Sequence, residues 1–424
     1  MKHSFVLKGD ICYSESRTSL KTVEGGYLVC EDGVSSGVFK TLPQAFAHLP
    51  LIDRGNRLIL PGLVDLHLHA PQFSYCCLGL NLELLDWLNT YTFQEEAKFR
   101  QLEYAQSAYS VFAQQLKKSA TTRACVFATI HVPATLLLME LLEDTGLVTM
   151  VGKVNMDRNG HPELQEADFD QSLRDTADWI VASQGKFQRT SPILTPRFIP
   201  SCSDALMRGL KDLHTQYGLP VQSHLSENLS EIEWVKALCP DAKFYGDAYN
   251  RFGLFGGTVP TIMAHCVWSP PEEAELMYQN QVYIAHCPQS NTNMSSGIAP
   301  VRRYLEKGIP TGLGSDVAGG CHLSIFRAMT DAIQVSKLHW RLVDQADAPL
   351  TVEEAFYMGT LGGGGFFGRV GSFAPGYEFD ALVIDDHEFS GVLRLSVRER
   401  LDRVLYLSND RHIFEKYVGG RKIL

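Results

Sequence analysis

From residue 58 onward the chain alternates short apolar runs with longer amphipathic stretches, and no other feature constrains its fold as much. The runs occupy residues 58–66, 124–129, 147–154, 192–195, 219–223, 261–264, 282–285 and 310–314. Helix-period stretches fall between or after them at 93–118, 163–183, 203–217, 231–238, 271–279, 300–308 and 323–339. Apolar runs this short read as strands buried on both faces, and strands that alternate with helices build a parallel sheet covered by helices. A series of eight predicts an α/β fold of the (β/α)8 TIM-like barrel type rather than an open sheet.

The two ends have a different texture. Residues 1–58 carry short strand-like segments around Gly-rich turns such as 26–30 and 37–40, and strand-like segments return after Gly371 at 379–385, 403–407 and 417–424. The expected organisation is a central barrel, 59–370, flanked by 1–58 and 371–424, which together form a small composite β-sandwich domain. With 45% apolar and 20% charged residues, long disorder is excluded. The net charge of −10 argues against a broad basic face, so no nucleic-acid partner is expected. No apolar run approaches the ~18–20 residues that cross a bilayer, so no membrane partner is expected. Residues 1–14 are broken by Lys8, Gly9 and Asp10 and make a poor export signal; the ten cysteines contain no CxxC pair. Reduced thiols in a cytoplasmic protein are the expectation.

Chemistry in such a barrel gathers at the C-terminal ends of the strands. Leu66-His67-Leu68-His69 closes the first run, and strand alternation sends both imidazoles to one side. Gln222-Ser223-His224 closes the fifth run, Ala264-His265 the sixth and Gly314-Ser315-Asp316 the eighth. Four histidines and an aspartate at four strand ends suit a zinc or ferrous ion with an open position; the plainer alternative is a set of hydrogen-bonded core histidines. A second ion needs a bridging ligand, and the third run offers only Lys153 followed by Val154 and Asn155, so a single ion is expected. Glu227, three residues after His224, is placed to move protons over the site, or alternatively to cap the following helix. Asp316 has two roles open, as a ligand and as the base that takes a proton from the attacking water. His131 reads as bordering the pocket and His286 as structural. His3, His48, His161, His214, His322, His339, His387 and His412 read as unrelated to the metal. Residues 362–365, four glycines, read as a flexible turn without the Lys-Ser/Thr of a phosphate loop.

Pro61-Gly62-Leu63-Val64-Asp65-Leu66-His67-Leu68-His69-Ala70 resembles the first-strand motif of the amidohydrolase superfamily, in its single-metal deaminase branch. Within that branch the chain is similar to the members that act on guanine. The likeness rests on His69-Ala70-Pro71-Gln72, on Leu84-Leu85-Asp86-Trp87-Leu88 running into Tyr91-Thr92-Phe93, and on Thr195-Pro196-Arg197-Phe198. It extends through Ser223-His224-Leu225-Ser226-Glu227-Asn228, Ala285-His286-Cys287-Pro288-Gln289-Ser290-Asn291 and Gly314-Ser315-Asp316-Val317-Ala318-Gly319-Gly320.

The resemblance implies one Zn2+ per subunit, with iron possible, held by His67, His69, His224 and Asp316. It implies catalytic roles for Glu227, His265 and Asp316, and hydrolysis of guanine to xanthine and ammonia. Substrate contacts would come from His69, Ala70, Pro71, Gln72, Leu85, Trp87, Arg197, Phe198, His224 and Glu227, and the enzyme would be a homodimer. Guanine presents two acceptors, O6 and N7, along one edge, which an arginine fork at Arg197 would match, whereas adenine would turn an amino donor towards it. Trp87 and Phe198 would bracket the ring. Alternatives are an amidohydrolase acting on an adenosine-type, pterin or chlorotriazine ring, and a metal-free scaffold with this fold.

Overall fold

The computed structural model describes residues 4–424; His3 lies outside them. Strands Phe5–Ser16, Ser19–Glu31, Val34–Phe39 and Leu51–Pro61 from the front of the chain join Ala381–Ile384, Ile413–Val418 and Arg421–Lys422 from its end. All seven form a single mixed sheet, in which Leu51–Pro61 pairs parallel with Phe5–Ser16 on one side and antiparallel with Ala381–Ile384 on the other. Alternation along Leu51–Pro61 divides its side chains between two faces. Leu58 and Leu60 pack with Leu401, Val404 and Ile325, whereas Ile59 packs with Phe379 and Val383. Phe5, Phe379 and Tyr417 tie the two chain ends together, Phe5 lying 5.2 Å from Phe379 and 5.4 Å from Tyr417 between ring centroids.

The first apolar run is two strands rather than one. It breaks at Gly62, after which Leu63–His69 enters a parallel sheet. Gly62 N donates to Asp380 O at 3.0 Å, and a Cβ there would lie 2.3 Å from the Thr122 side chain, so only glycine allows the chain to pass between the sheets.

Leu63–His69, Thr121–Phe127, Val148–Gly152 and Thr190–Pro192 form one four-stranded parallel sheet. Val221–Leu225, Thr261–His265, Tyr283–His286 and Thr311–Leu313 form a second. Backbone hydrogen bonds join the two at both edges. Leu194 N donates to Pro220 O and Gln222 N to Leu194 O, both at 2.9 Å; at the other edge Asp316 N donates to His67 O (2.8 Å) and His69 N to Val317 O (3.0 Å). Every residue of Leu63–His69 and Thr121–Phe127 is buried, as strands covered on both faces require.

Helix Pro271–Gln279 coincides with its expected span, and Asp204–Tyr217, Leu229–Leu238, Val301–Lys307 and Ile325–Leu342 lie within a few residues of theirs. Three expectations are corrected. The stretch 93–118 is not one helix: Phe93–Ala97 ends in the tight turn Lys98–Arg100, and Leu102–Lys118 begins after an extended Gln101. The stretch 403–407 is the end of helix Val397–Leu407, whose buried Val397, Leu401, Val404 and Leu405 recur at helical spacing behind a Ser396/Glu399 capping box. The four glycines at 362–365 continue a helical segment. A Cβ on Gly362 would lie 2.8 Å from Thr311 O and one on Gly312 would lie 2.8 Å from Gly363 Cα, so they serve close backbone packing rather than flexibility. Helix Phe169–Ser183 begins six residues later than its expected span of 163–183, and helices Val132–Thr145, Tyr245–Arg251 and Val352–Tyr357 add to the cover. Among the described residues no helix is long and apolar enough to cross a membrane.

Candidate active site

The strand ends converge. His67 and His69 leave Leu63–His69, His224 leaves Val221–Leu225, His265 ends Thr261–His265, and Asp316 follows Thr311–Leu313. His69 Nε2 lies 3.2 Å from His224 Nε2, and Asp316 Oδ1 lies 3.2 Å from His67 Nε2 and 3.5 Å from His69 Nε2. The strands turn sharply as they deliver these groups: Ser226, His265 and Asp316 adopt φ of 47°, 74° and 44°, a left-handed backbone uncommon for non-glycine residues. Asp65, buried in the same strand as His67, accepts hydrogen bonds from His67 N (3.2 Å), Ser315 N (3.0 Å) and Ser315 Oγ (2.5 Å), locking the first and last strand ends together.

These groups suit a cation. Burial lowers the pKa of His67 against the opposing Asp316 charge, and burial reinforced by the neighbouring His67 ring puts His69 and His224 well below the ordinary imidazole value, so each offers a neutral nitrogen lone pair. Burial would raise the Asp316 carboxyl, but the surrounding His67, His265 and His69 hold it below the usual carboxylate range. Both ring nitrogens of His67 and Nε2 of His265 are buried without a hydrogen-bond partner among the described residues. Donors about 2.1 Å from a tetrahedral ion lie about 3.4 Å apart, close to the His69–His224 and His67–Asp316 separations. Among the described residues two sets of possible ligand atoms lie within 4.8 Å of one another, His67, His224 and His265, and His67, Cys287 and Asp316; His69, expected as a ligand, is in neither set. Cys287 was not foreseen. Burial pushes its thiol well above the ordinary value and its Sγ donates to Ala285 O, so it is the poorest donor of the group.

Hydrogen bonds from outside orient the imidazoles. His224 Nδ1 is 2.6 Å from Arg197 O and His265 Nδ1 is 2.9 Å from Asn291 Oδ1, which turns the Nε2 of each ring towards the cluster. Above it lies Glu227, with Oε2 at 3.3 Å from His265 Nε2 and Oε1 accepting from Ser296 Oγ at 3.2 Å. Burial, reinforced by the Asp316 charge, raises the Glu227 carboxyl to about 8. The capping role foreseen for Glu227 belongs instead to Asn228 and Glu231, leaving Glu227 to face the cavity.

The cavity lies against this cluster. Of the residues singled out from sequence, His69, Gln72, Trp87, Arg197, Phe198, His224, Glu227, His265 and Asp316 line it, and His67 is buried beside His69 and His224. Ala70 and Pro71 are buried in the turn Ala70–Tyr75 but do not line the wall, and Leu85 packs against the core outside it. Nor does His131 line it; burial lowers its ring to about 4. His286 is buried beyond the ligand cluster, and burial lowers it to about 3. Lys153 is buried in an ion pair with Glu166.

Leu84, Leu88, Glu231, Ser290, Met294 and Gly319 complete the wall and were not foreseen. Nor was Glu96, on helix Phe93–Ala97. Its carboxylate takes Arg197 Nη1 at 2.6 Å and Nη2 at 3.1 Å, and also Gln72 Nε2 at 2.9 Å. The one available signal was its position midway between Phe93 and Phe99 on an otherwise apolar helical stripe, a place for a carboxylate only if it meets a buried partner.

Histidines and an aspartate at the strand ends of linked parallel sheets, with a buried carboxylate poised over them, define a metal-dependent hydrolase. The family model of the Amidohydrolase family matches residues 58–422, and the chain belongs to that family. It is similar to guanine deaminase of Dictyostelium discoideum, 40% identical over 382 residues that span 88% of this chain and 84% of the relative. It is also similar to guanine deaminase of Mus musculus, 38% identical over 386 residues spanning 87% and 83%. Among solved structures it is similar to guanine deaminase from C. acetobutylicum with bound guanine in the active site, at a TM-score of 0.96 and 45% identity over 99% of this chain and 100% of that chain.

Proposed function

We infer that the protein is a guanine deaminase, hydrolysing guanine to xanthine and ammonia. The observation that carries this reading is the juxtaposition, in one small cavity, of Glu227 over the His/Asp cluster with the Arg197–Glu96–Gln72 group. The 45% identical enzyme with guanine in its active site supports it. His67, His69, His224 and Asp316 would hold a single zinc ion, which when bound acidifies water towards a pKa of ~7 and acts as a Lewis acid.

The residues of the chain then share the proton traffic. Asp316, held ionised, accepts the proton that the attacking water gives up as its oxygen bonds to C2. Glu227 is protonated near neutral pH and delivers its proton to N3, which drains charge from C2 as the bond forms. His265, steadied by Asn291, presents Nε2 to the water between Asp316 and Glu227. The proton held by Asp316 then passes to the exocyclic nitrogen and the C2 hydroxyl returns its proton to Glu227, so that the C2–N bond breaks, ammonia leaves and the ring carbonyl of xanthine forms with both carboxyl groups restored. Arg197 faces the O6/N7 edge, and Trp87 and Phe198 flank the ring.

In the same reading, the two parallel sheets are one closed eight-stranded barrel, and residues 1–58 and 371–424 form its companion β domain, with strand Leu51–Pro61 running across the 58/59 division. The enzyme is a cytoplasmic homodimer, which sedimentation analysis of the purified chain would test. The zinc-loaded protein should release ammonia from guanine and not from adenine. Ammonia from adenine, a pterin or a chlorotriazine but not from guanine would overturn the assignment, and absence of bound metal with no rescue by zinc would favour a scaffold.

A further inference from the structure

Four segments distant in sequence meet behind one wall of the cavity. Arg197 is buried, which disfavours its charge, but the Glu96 carboxylate more than compensates and keeps the guanidinium ionised. The pair is a two-point fork: Nη1 at 2.6 Å on one Glu96 oxygen and Nη2 at 3.1 Å on the other. The guanidinium also lies over the Phe93 ring, 5.2 Å from its centroid, so one turn of helix Phe93–Ala97 supplies both the face and the edge that fix it. The second oxygen contact of Glu96 is Gln72 Nε2, and the other end of that amide, Oε1, accepts from Ala318 N at 3.2 Å.

We propose that Glu96 is a positioning residue that sets specificity for 6-oxopurines, by holding Arg197 and Gln72 in the one arrangement that presents only donors to the substrate edge. The argument is a count of hydrogen-bonding capacity. Guanidinium has five N–H groups, of which Glu96 takes two; Nε–H and the outward hydrogens of Nη1 and Nη2 stay available. The Gln72 amide could present either its oxygen or its nitrogen to a ligand. With Nε2 engaged by Glu96 and Oε1 by Ala318 N, it is not free to flip and offer an acceptor to a 6-amino group. A purine with O6 and N7 acceptors finds matching donors, whereas a 6-aminopurine brings a donor against donors and leaves buried polar groups unpaired. Without the Glu96 charge, Arg197 is released to rotate and Gln72 to flip, and the discrimination goes with them. This rests on the reading of the cavity as the purine site given above.

The test is binding by the zinc-loaded enzyme of two unreactive probes, hypoxanthine, which has the O6/N7 edge, and unsubstituted purine, which lacks O6. Kd for each is measured calorimetrically beside thermal unfolding and metal content. Glu96→Gln should weaken hypoxanthine about 10- to 100-fold while purine changes by less than about threefold, with metal content unchanged. Guanine turnover should lose mainly through KM. Glu96→Asp, which keeps the charge but shortens its reach, should lie between, and it carries the test if Glu96→Gln does not fold. Equal weakening of both probes, or no change in either, would overturn the proposal, as would full hypoxanthine preference in Glu96→Asp. A wild-type enzyme that prefers hypoxanthine to purine yet releases no ammonia from guanine would sink the assigned reaction and leave the role of Glu96 standing.

Discussion

The two walls of the cavity are built on different principles. The His/Asp wall is made of strand ends: His67, His69, His224, His265 and Asp316 sit where parallel strands stop, and backbone groups such as Arg197 O and the Asp65-bound Ser315 N hold them. The opposite wall is made of side chains from a tight turn, a short helix and a loop, and its geometry rests on the contacts of Glu96 with Gln72 and Arg197. The first arrangement is inherited from the fold and suits a reaction step common to many substrates. The second is assembled from local segments that can change without disturbing the sheets, so it suits selection among substrates.

Substitutions should separate the walls, and the largest effect should come from the strand ends. His224→Ala is expected to lose bound zinc and more than about 1000-fold in kcat together, checked by metal analysis beside ammonia release. Retained metal with a small loss of rate would remove His224 from the ligand set. Glu227→Gln belongs to the same wall but not to the ligands. It should keep zinc and lose about 10²–10⁴-fold in kcat, because an amide of the same shape carries no transferable proton. Zinc loss in this variant would make Glu227 a ligand and break the division between holding the ion and moving protons.

On the selective wall, Arg197→Lys is a cleaner probe than truncation, since truncation would strand the buried Glu96 charge. Lysine keeps one charge but not the fork. Guanine kcat/KM should fall about 10- to 100-fold, mostly in KM, with zinc content unchanged. A loss of zinc would show instead that the main effect of Arg197 runs through its backbone carbonyl and His224.

The same contrast explains what was legible in the sequence. The HxH pair and the later strand-end residues were readable because strand alternation and the C-terminal ends of parallel strands are local, periodic properties. Glu96 was not, because its partners lie 24 and 101 positions away and its helix was read as the start of a longer one. Phe93 and Glu96 meet Arg197 just before the break at Lys98–Arg100, and a tight turn of ordinary helix-forming residues leaves no pattern. Helix Val397–Leu407 was obscured differently: Arg403–Leu407 read alone is a short run of apolar residues that suits a strand, and only the upstream Val397 and Leu401 reveal the helical period. Helix Val132–Thr145 was hidden by its own apolarity, since Leu136, Leu137, Leu138 and Met139 in succession leave no polar face to mark the turn.

The smallest expected effect tests how finely the proton-moving group is aimed. Glu227 leaves the strand end on a loop, and among the described residues the one side-chain hydrogen bond it accepts is from Ser296 Oγ. Ser296 is itself fixed by backbone: its N donates to Asn291 O at 2.9 Å and its O accepts from Trp268 Nε1 at 2.6 Å. That path also passes Asn291, on helix Pro288–Asn293, whose side chain orients His265, so this helix and the loop after it steady both groups that face the attacked carbon. Ser296→Ala removes a single neutral hydrogen bond of about 1 kcal/mol, which corresponds to roughly three- to tenfold in rate. Because the hydrogen bonds of Ser296 among the described residues run to Glu227, Asn291 and Trp268 and not to the Arg197 side or the ligand imidazoles, the loss should fall on kcat with KM and zinc unchanged. A change confined to KM would mean that Glu227 is held by the substrate rather than by the loop, and its position would then belong with the selective wall.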